Sequence, residues 1–487
     1  MTRRDLAAAS RHPGGLPLTQ RAVRLSGLPP GARILDIGCG DGASVRLLRQ
    51  LGFDAVGIDE RAEGLPYASG EFDCVLMECV LSVLDDPEAA LREARRVLTP
   101  RGTFILSDVC AADAEEELRR LLEASGFSVK IEEDHTAALV TYAAERGFAA
   151  GRAAGYALFI GETIDPLAQW LARKIGSSTP LEAFQTEQLR ETLHLAAAHS
   201  RFYRQSLGHQ GFSGDTARQI LARLPFSYPE QLRADPLAFL CVPPSEASRV
   251  VTLGTSGTTG APKRIYFSAD ELEDTVDFFD YGMRNIAQPN GRAMIFMRGA
   301  GVPDGVCDTL TRGLSRFGCE GISFGEITGD ADDARRALLE SKADCAVGIA
   351  SQMMKIAALG GEQPRLKTVL LSADNIPAQT IRALEDAWGC EVFSHFGMTE
   401  TCFGGAVDCR CHSGMHIREP DMIFEIIDPV TGAQLPDGER GEIVLTTLTR
   451  RCMPLIRYRT GDISRILTGE CPCGCTLKRL DHVEGHA

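Results

Sequence analysis

From Arg33 to Glu162 short apolar runs alternate with helix-patterned segments, and that alternation admits few folds. RILDIG (33–38) is an apolar run closed by glycine. FDAVGID (53–59), FDCVLME (72–78) and TFILSDV (103–109) repeat the theme. Such runs read as strands buried on both faces of a parallel sheet. Between them GASVRLLRQLG has helical spacing, and PEAALREARRVL (87–98) sets Leu91, Ala94 and Leu98 on one stripe. EEELRRLLEASGF reads as helix, FSVKIE as a further strand and GYALFIGE (155–162) as the last. The pattern means an α/β fold with a mostly parallel sheet.

The pattern breaks near Thr163–Pro166 without a long linker, so domains are expected at 1–162 and 163–487. Residues 166–240 are helix-rich and polar, a Gly/Ser/Thr-rich loop follows, and a second α/β stretch runs to about 400. Short strands and turns such as PDGERG fill the remainder. The net charge is −15 and neither half is basic, which argues against nucleic-acid binding. No run of about 18 apolar residues predicts a membrane span. The start, MTRRDLAAASRHPGG, lacks the apolar core of a signal peptide, so the cytoplasm is the expected compartment.

Strand 33–38 runs into Gly38-Cys39-Gly40-Asp41-Gly42 and then a helix. Glycines there allow a tight turn and close approach of backbone to a ligand. Asp59 ends the next strand, where a carboxylate binds ribose hydroxyls in such folds. ILDIGCGDG, GIDE, LPYASGEFD and RVLTPRGTFILSDV, in that order, resemble a class I S-adenosylmethionine-dependent methyltransferase. The resemblance implies a Rossmann-like domain with Asp36 near the methionine part of the cofactor. Gly38 and Gly40 make room for it, and Asp59 takes the ribose. Only five residues separate Glu60 from Pro66, where that family fits a helix and an edge strand. A shortened sheet with a reduced adenine pocket is therefore expected. Glu78 and Cys79 face the acceptor side, although packing roles are commoner for such residues; the methyl acceptor itself is unspecified.

VTLGTSGTTGAPKRIYFS (251–268) sets Thr255, Ser256, Thr258 and Thr259 among glycines that include Gly257 and Gly260, followed by Lys263. Such a loop can wrap phosphates with backbone N–H and hydroxyl donors. Together with LSADNIP (371–377), SHFGMTET (394–401) and YRTGD (458–462) it resembles the adenylate-forming superfamily. LPFSYPEQLR, EIIDPVTG, LTTLTRRCMPLIRYRTGD and CPCG look most like phenylacetate–CoA ligase. The resemblance implies the large N-terminal domain of that fold, binding ATP or AMP. Ser372, Ala373 and Asp374 would lie beside adenine, Phe396 and Gly397 at its ring, and Asp462 on the ribose. Lys263 and Thr399 would act at phosphate, and Glu400 would hold Mg²⁺, a hard cation suited to carboxylate oxygen. The implied substrate is a small, possibly aromatic, carboxylic acid, converted to an acyl-adenylate. The sequence given stops at KRLDHVEGHA, with His486 where the family commonly has arginine. The family's small C-terminal domain is thus expected to be absent, either supplied by a partner protein or leaving a domain that only binds nucleotide; slow adenylation and no thioester with coenzyme A are expected of this chain alone.

Seven of the 16 cysteines fall between Cys402 and Cys475. Cys409 and Cys411 precede His412 and His416, with Cys471, Cys473 and Cys475 about 55 residues later, and Cys and His at short spacing suit tetrahedral Zn²⁺. The resemblance to phenylacetate–CoA ligase-like proteins implies a structural metal here, with Cys409, His416, Cys471 and Cys473 as the expected ligands. C-x-C is tighter than the usual C-x₂-C, and buried free thiols or a redox role are the other readings. The leading functional reading is a methyltransferase fused to a carboxylate-adenylating domain. The alternative is a nucleotide- and S-adenosylmethionine-binding scaffold.

Overall fold

The computed structural model describes residues 12–59, 64–111, 115–145, 154–207, 216–253, 263–373 and 376–486. They form two compact units, Met1–Asp165 with Pro472–Gly474, and Pro166–Cys471 with Cys475–Ala487.

The first unit begins with helix α1 (Gly15–Leu25). Its sheet holds β1 (Arg33–Ile37), β2 (Asp54–Ile58), β3 (Phe72–Glu78), β4 (Leu98–Ala111), β5 (Phe127–Asp134) and β6 (Ala154–Thr163) in the order β2-β1-β3-β4-β6-β5. Alternate residues serve opposite faces. Leu35, Val75, Met77, Phe104, Leu106 and Phe159 join one core, while Ile34, Leu76, Ile105, Tyr156, Leu158 and Ile160 join another. The strands read as continuous apolar runs because both faces are covered.

β1 to β4 are parallel, whereas β6 pairs antiparallel with β4 and β5, so the far edge departs from a purely parallel sheet. β2 is the near edge, and among the described residues no strand lies between it and β3. Helix α2 (Ala43–Gln50) follows the glycine turn, and α3 (Pro87–Val97) precedes β4. Pro87 fits the first turn of α3, and Asp86 caps it by accepting from the Ala89 N–H at 2.8 Å. The helix ends at Val97, so Leu98 opens β4 and does not close the apolar stripe. β4 accordingly starts five residues earlier than TFILSDV suggested, across an irregularity opposite Phe72–Cys74 where Arg101 adopts a φ of 59°.

The second unit carries the hairpin β7 (Arg249–Leu253) and β8 (Lys263–Phe267), with Leu253 opposite Lys263. Helix α4 (Ala269–Met283) follows behind a capping box of Ser268 and Glu271. A parallel sheet comprises β9 (Arg292–Phe296), β10 (Glu320–Ser323), β11 (Cys345–Ile349), β12 (Thr368–Ser372) and β13 (Glu391–Phe396). It continues antiparallel into β14 (Ala406–Val407) and β15 (Met415–Ile417). A separate sheet contains β16 (Met422–Ile427), β17 (Gly441–Thr447) and β18 (Tyr458–Ser464). No helix among the described residues is long and apolar enough to cross a membrane.

Candidate functional site

In the first unit, the order β2-β1-β3 reverses direction at β1, and the ends of these three strands meet there. Ligands bind at such a switch point, outside the carboxyl ends of the strands. Gly38, Gly40 and Gly42 have φ of 77°, 50° and 78°, the left-handed region that only glycine enters freely. A Cβ on Gly38 would come within 2.5 Å of Val80, whereas one on Gly40 would meet nothing within 4 Å. The space over Gly40 is therefore open. Asp59 ties the end of β2 to the turn by accepting from the Gly40 N–H at 2.8 Å.

Asp36 is 2% exposed, and its Oδ2 has no hydrogen-bond partner among the described residues. Burial, then the charges of Glu78 and Asp59, push its carboxyl well above the usual range. Glu78 accepts from Thr19 at 2.8 Å and from Ser44 at 2.9 Å, with His12 Nε2 at 3.4 Å. The motif reading missed these three partners, which come from other segments. Burial pushes the Cys79 thiol up to about 12, so it is not a thiolate nucleophile near neutral pH. These residues fit a polar cofactor laid over the turn: Gly40 leaves open space, Asp59 is bonded to its N–H, and the Asp59 charge reaches the buried Asp36 carboxyl. Glu60 lies outside the described residues.

In the second unit two cavities meet at the ends of β12 and β13. One has a volume of about 390 Å³ and is mainly apolar, with Phe278, Phe279, Met283, Met297, Val306 and Leu310 in its wall. The other, about 1030 Å³, is lined among others by Lys263, Phe396, Glu400 and Asp462. Ala373, His395 and Gly397–Thr399 line both. The structure thus brings together Lys263, Ala373, Phe396, Gly397, Thr399, Glu400 and Asp462, with Ser372 in the apolar cavity. Thr255, Ser256, Gly257, Thr258, Thr259, Gly260 and Asp374 lie outside the described residues. Phe396 packs edge-on against Phe424 at 5.8 Å.

Glu400 is 1% exposed on a tight turn. Its Oε1 pairs with the Lys263 ammonium and accepts from the Tyr458 hydroxyl at 2.9 Å. Burial and the adjacent Glu400 charge push the Tyr458 phenol up, so it stays a donor. Tyr458 opens the YRTGD segment, yet only Asp462 carried a role in the motif. His395 was also missed. Its Nδ1 lies 2.8 Å from the Ser372 hydroxyl, and its Nε2 is buried with no partner among the described residues.

Cys409, His416, Cys471 and Cys473 are all buried, and one donor atom from each lies within 4.8 Å of the others. The Cys409 and Cys471 sulfurs are 3.7 Å apart. Tetrahedral Zn–S bonds of about 2.3 Å place two sulfurs about 3.8 Å apart. His416 Nδ1 lies 3.2 Å from the Leu477 carbonyl, which orients Nε2 as the metal-facing nitrogen. The donor set therefore fits zinc.

A glycine turn at the switch point of one parallel sheet, and a nucleotide-sized cavity joined to an apolar one at the strand ends of another, define a two-part α/β enzyme. Residues 204–448, half of the chain, match the family described as AMP-binding enzyme, and the chain belongs to it. Residues 15–150 match a methyltransferase domain, so the chain fuses the two. Phenylacetate-coenzyme A ligase of Pseudomonas putida is 28% identical over 318 residues, which cover 63% of this chain and 71% of that protein. Phosphoethanolamine N-methyltransferase 1 of Arabidopsis thaliana is 26% identical over 167 residues, covering 25% of this chain and 34% of the plant protein. The solved structure of a 2-hydroxyisobutyryl-CoA ligase in complex with 2-HIB-AMP and CoA shares the fold. Its TM-score is 0.57 at 23% identity, over 65% of this chain and 70% of the ligase.

Proposed function

We propose that the chain is a bifunctional enzyme. Its first half transfers a methyl group from S-adenosylmethionine to a small acceptor, and its second half adenylates a small apolar or aromatic carboxylic acid. The domains so assigned are residues 1–162 and 163–487. The observation that carries the second assignment is the common wall of the two cavities: an acid in the apolar one presents its carboxylate to a nucleotide in the larger one. A carboxylate oxygen attacks the α-phosphorus, the bond to the bridging oxygen of pyrophosphate breaks, and acyl-adenylate and pyrophosphate result. The protein contributes position and charge neutralisation. Asp462 holds the ribose, Phe396 and Ala373 flank the adenine, and Thr399 and Lys263 meet phosphate. Glu400 holds Mg²⁺, which offsets phosphate charge when bound. Lys263 and Glu400 pair with each other in the ligand-free chain, so each keeps its charge compensated until nucleotide and metal arrive. Coenzyme A as the acyl acceptor is suggested by the names of the ligase relatives.

In the first half, Gly38, Gly40 and Asp59 seat the cofactor's ribose side and Asp36 its methionine side. S-adenosylmethionine supplies an electrophilic methyl group when bound. Cys409, His416, Cys471 and Cys473 hold a structural zinc, because four protein ligands leave no open position for chemistry.

Pyrophosphate release with a panel of acids, with and without coenzyme A, tests the adenylation reading. Calorimetry with ATP and Mg²⁺ tests the site. Asp462→Ala removes charge-assisted hydrogen bonds worth roughly 1.5–3 kcal/mol each, so ATP affinity should fall at least tenfold. Equal affinity of both proteins would reject the ribose assignment. Nucleotide binding with no pyrophosphate from any acid would leave a nucleotide-binding scaffold.

A further inference from the structure

Asp462 sits on an irregular stretch of β18. Where β17 pairs with β18, Glu442 stands opposite Ile463 and Val444 opposite Arg459, so Thr460, Gly461 and Asp462 together face Ile443. Such a bulge takes backbone groups out of the ladder and re-aims a side chain, and bulges gather beside binding sites. Gly461 bends the chain with a φ of 80°. Asp462 lines the cavity of about 1030 Å³, whereas Glu442, on the neighbouring strand, stands outside that lining.

Backbone groups freed by a bulge need other partners. The Gly461 N–H donates to Glu442 Oε1 at 3.1 Å. The Thr460 hydroxyl donates to the Ile443 carbonyl at 2.8 Å and accepts from the Asp462 N–H at 3.1 Å. Glu442 is 3% exposed, and the Arg459 guanidinium matches its charge, with Nε 3.1 Å from Oε1 and 3.0 Å from Oε2. Arg459 also donates to the Pro429 carbonyl at 2.8 Å. One buried carboxylate thus fastens both Arg459 and Gly461, on the stretch of chain that leads into Asp462.

We propose that Glu442 is a positioning residue for the nucleotide: it fixes the bulge that holds the Asp462 carboxylate at the ribose hydroxyls, and so sets the preference for a nucleotide that has those hydroxyls. The inference rests on the reading of Asp462 as the ribose ligand. A site built to hydrogen-bond a hydroxyl rejects the analogue lacking it. That rejection requires the carboxylate to be held to within roughly 0.5 Å. A Glu442 that only stabilised the fold would, when removed, weaken nucleotides with and without the hydroxyls alike.

The test is calorimetry of the whole chain with Mg²⁺ and either ATP or 2′,3′-dideoxy-ATP. The wild type should bind ATP about tenfold or more tighter than the dideoxy nucleotide. Glu442→Ala should bring that ratio below about three by weakening ATP, with the dideoxy affinity changed less than about threefold. Glu442→Gln keeps an oxygen for the Gly461 N–H and should restore part of the ratio. In an Asp462→Ala background, Glu442→Ala should lower ATP affinity no further, because both changes remove the same interaction. Circular dichroism checks folding. Should Glu442→Ala fail to fold, Thr460→Val takes its place, removes the hydroxyl that holds the Asp462 N–H, and should lower the ratio likewise. A wild-type ratio in the folded variant, equal weakening of both nucleotides, or a further loss in the double variant would overturn the inference while Asp462 kept its role. A wild type that binds ATP no tighter than the dideoxy nucleotide would reject the ribose reading itself, and the inference with it.

Discussion

Burial holds the imidazole of His395 neutral, with its pKa at about 4 against about 6.5 for an unfolded histidine. Between those values the unfolded chain binds more protons than the folded one. His395 therefore costs no stability above pH 6.5 and progressively more as the pH falls toward 4. Linkage puts the loss at roughly 2 kcal/mol at pH 5. Urea unfolding of the wild type and His395→Leu at pH 7.5 and pH 5 should show the wild type losing about 2 kcal/mol more than the variant on acidification. Parallel losses would mean that the ring is solvated. Residues of this kind are poorly legible in a sequence. Asp36, Asp59 and Asp462 stand beside glycines or at motif ends, so their types and positions announce them. His395 shares its strand with Glu391 and Ser394, so its type alone does not single it out, and its partner Ser372 comes from a different strand. The same holds for Thr19, Ser44 and His12 around Glu78.

Strands and helices were easier to read than their ends. Apolar runs over 33–38, 72–78 and 155–162 became β1, β3 and β6, because burial on both sheet faces leaves a continuous apolar signature. Composition does not encode direction, so the antiparallel course of β6 was not legible. The turn after β13 shows how tightly an element can fix its residues. A Cβ on Gly397 would lie 2.0 Å from the Phe403 carbonyl and 2.5 Å from His395 Cε1. Backbone cannot yield as a flexible side chain does. Gly397→Ala should cost about 2 kcal/mol or more, and should weaken ATP binding by shifting Thr399 and Glu400. An unchanged urea midpoint and nucleotide affinity would show that the turn has slack. The cysteine segment makes a second case. Donor types in the sequence leave Cys411, His412 and Cys475 as candidates beside Cys409, His416, Cys471 and Cys473; the fold brings the latter four together, although Cys409 and Cys471 are 62 positions apart. Zinc analysis should find about one ion per chain, and Cys473→Ser should lose it together with several kcal/mol of stability. Protein purified without oxygen and free of zinc would reject the site.

At the scale of the whole molecule, the division at Asp165 and Pro166 separates two sets of cores. Leu35, Phe72, Phe104 and Phe159 anchor one, while Leu189, Tyr203, Phe267 and Tyr458 anchor the other. The break was legible as a change from strand–helix alternation to a polar helical stretch. The link between the two chemistries was not, because neither half carries a residue pattern that names the other's substrate. Separate cores and separate ligands make a prediction for the intact chain. A ligand that binds only the folded form of one unit stabilises that unit by RT ln(1 + [L]/Kd), or about 2.7 kcal/mol at a hundredfold excess over Kd. For a unit of this size, a kcal/mol moves the midpoint by roughly 2–4 °C. Calorimetric melting should therefore resolve two transitions. S-adenosylmethionine should raise the transition of the smaller unit by about 5–10 °C, and ATP with Mg²⁺ should raise that of the larger unit, whose unfolding entropy is about twice as great, by about 4 °C. Asp59→Ala should blunt the first shift and leave the second, and Asp462→Ala should do the reverse. A single transition raised by either ligand would mean that the two units unfold as one cooperative body, and would make each site sensitive to occupancy of the other.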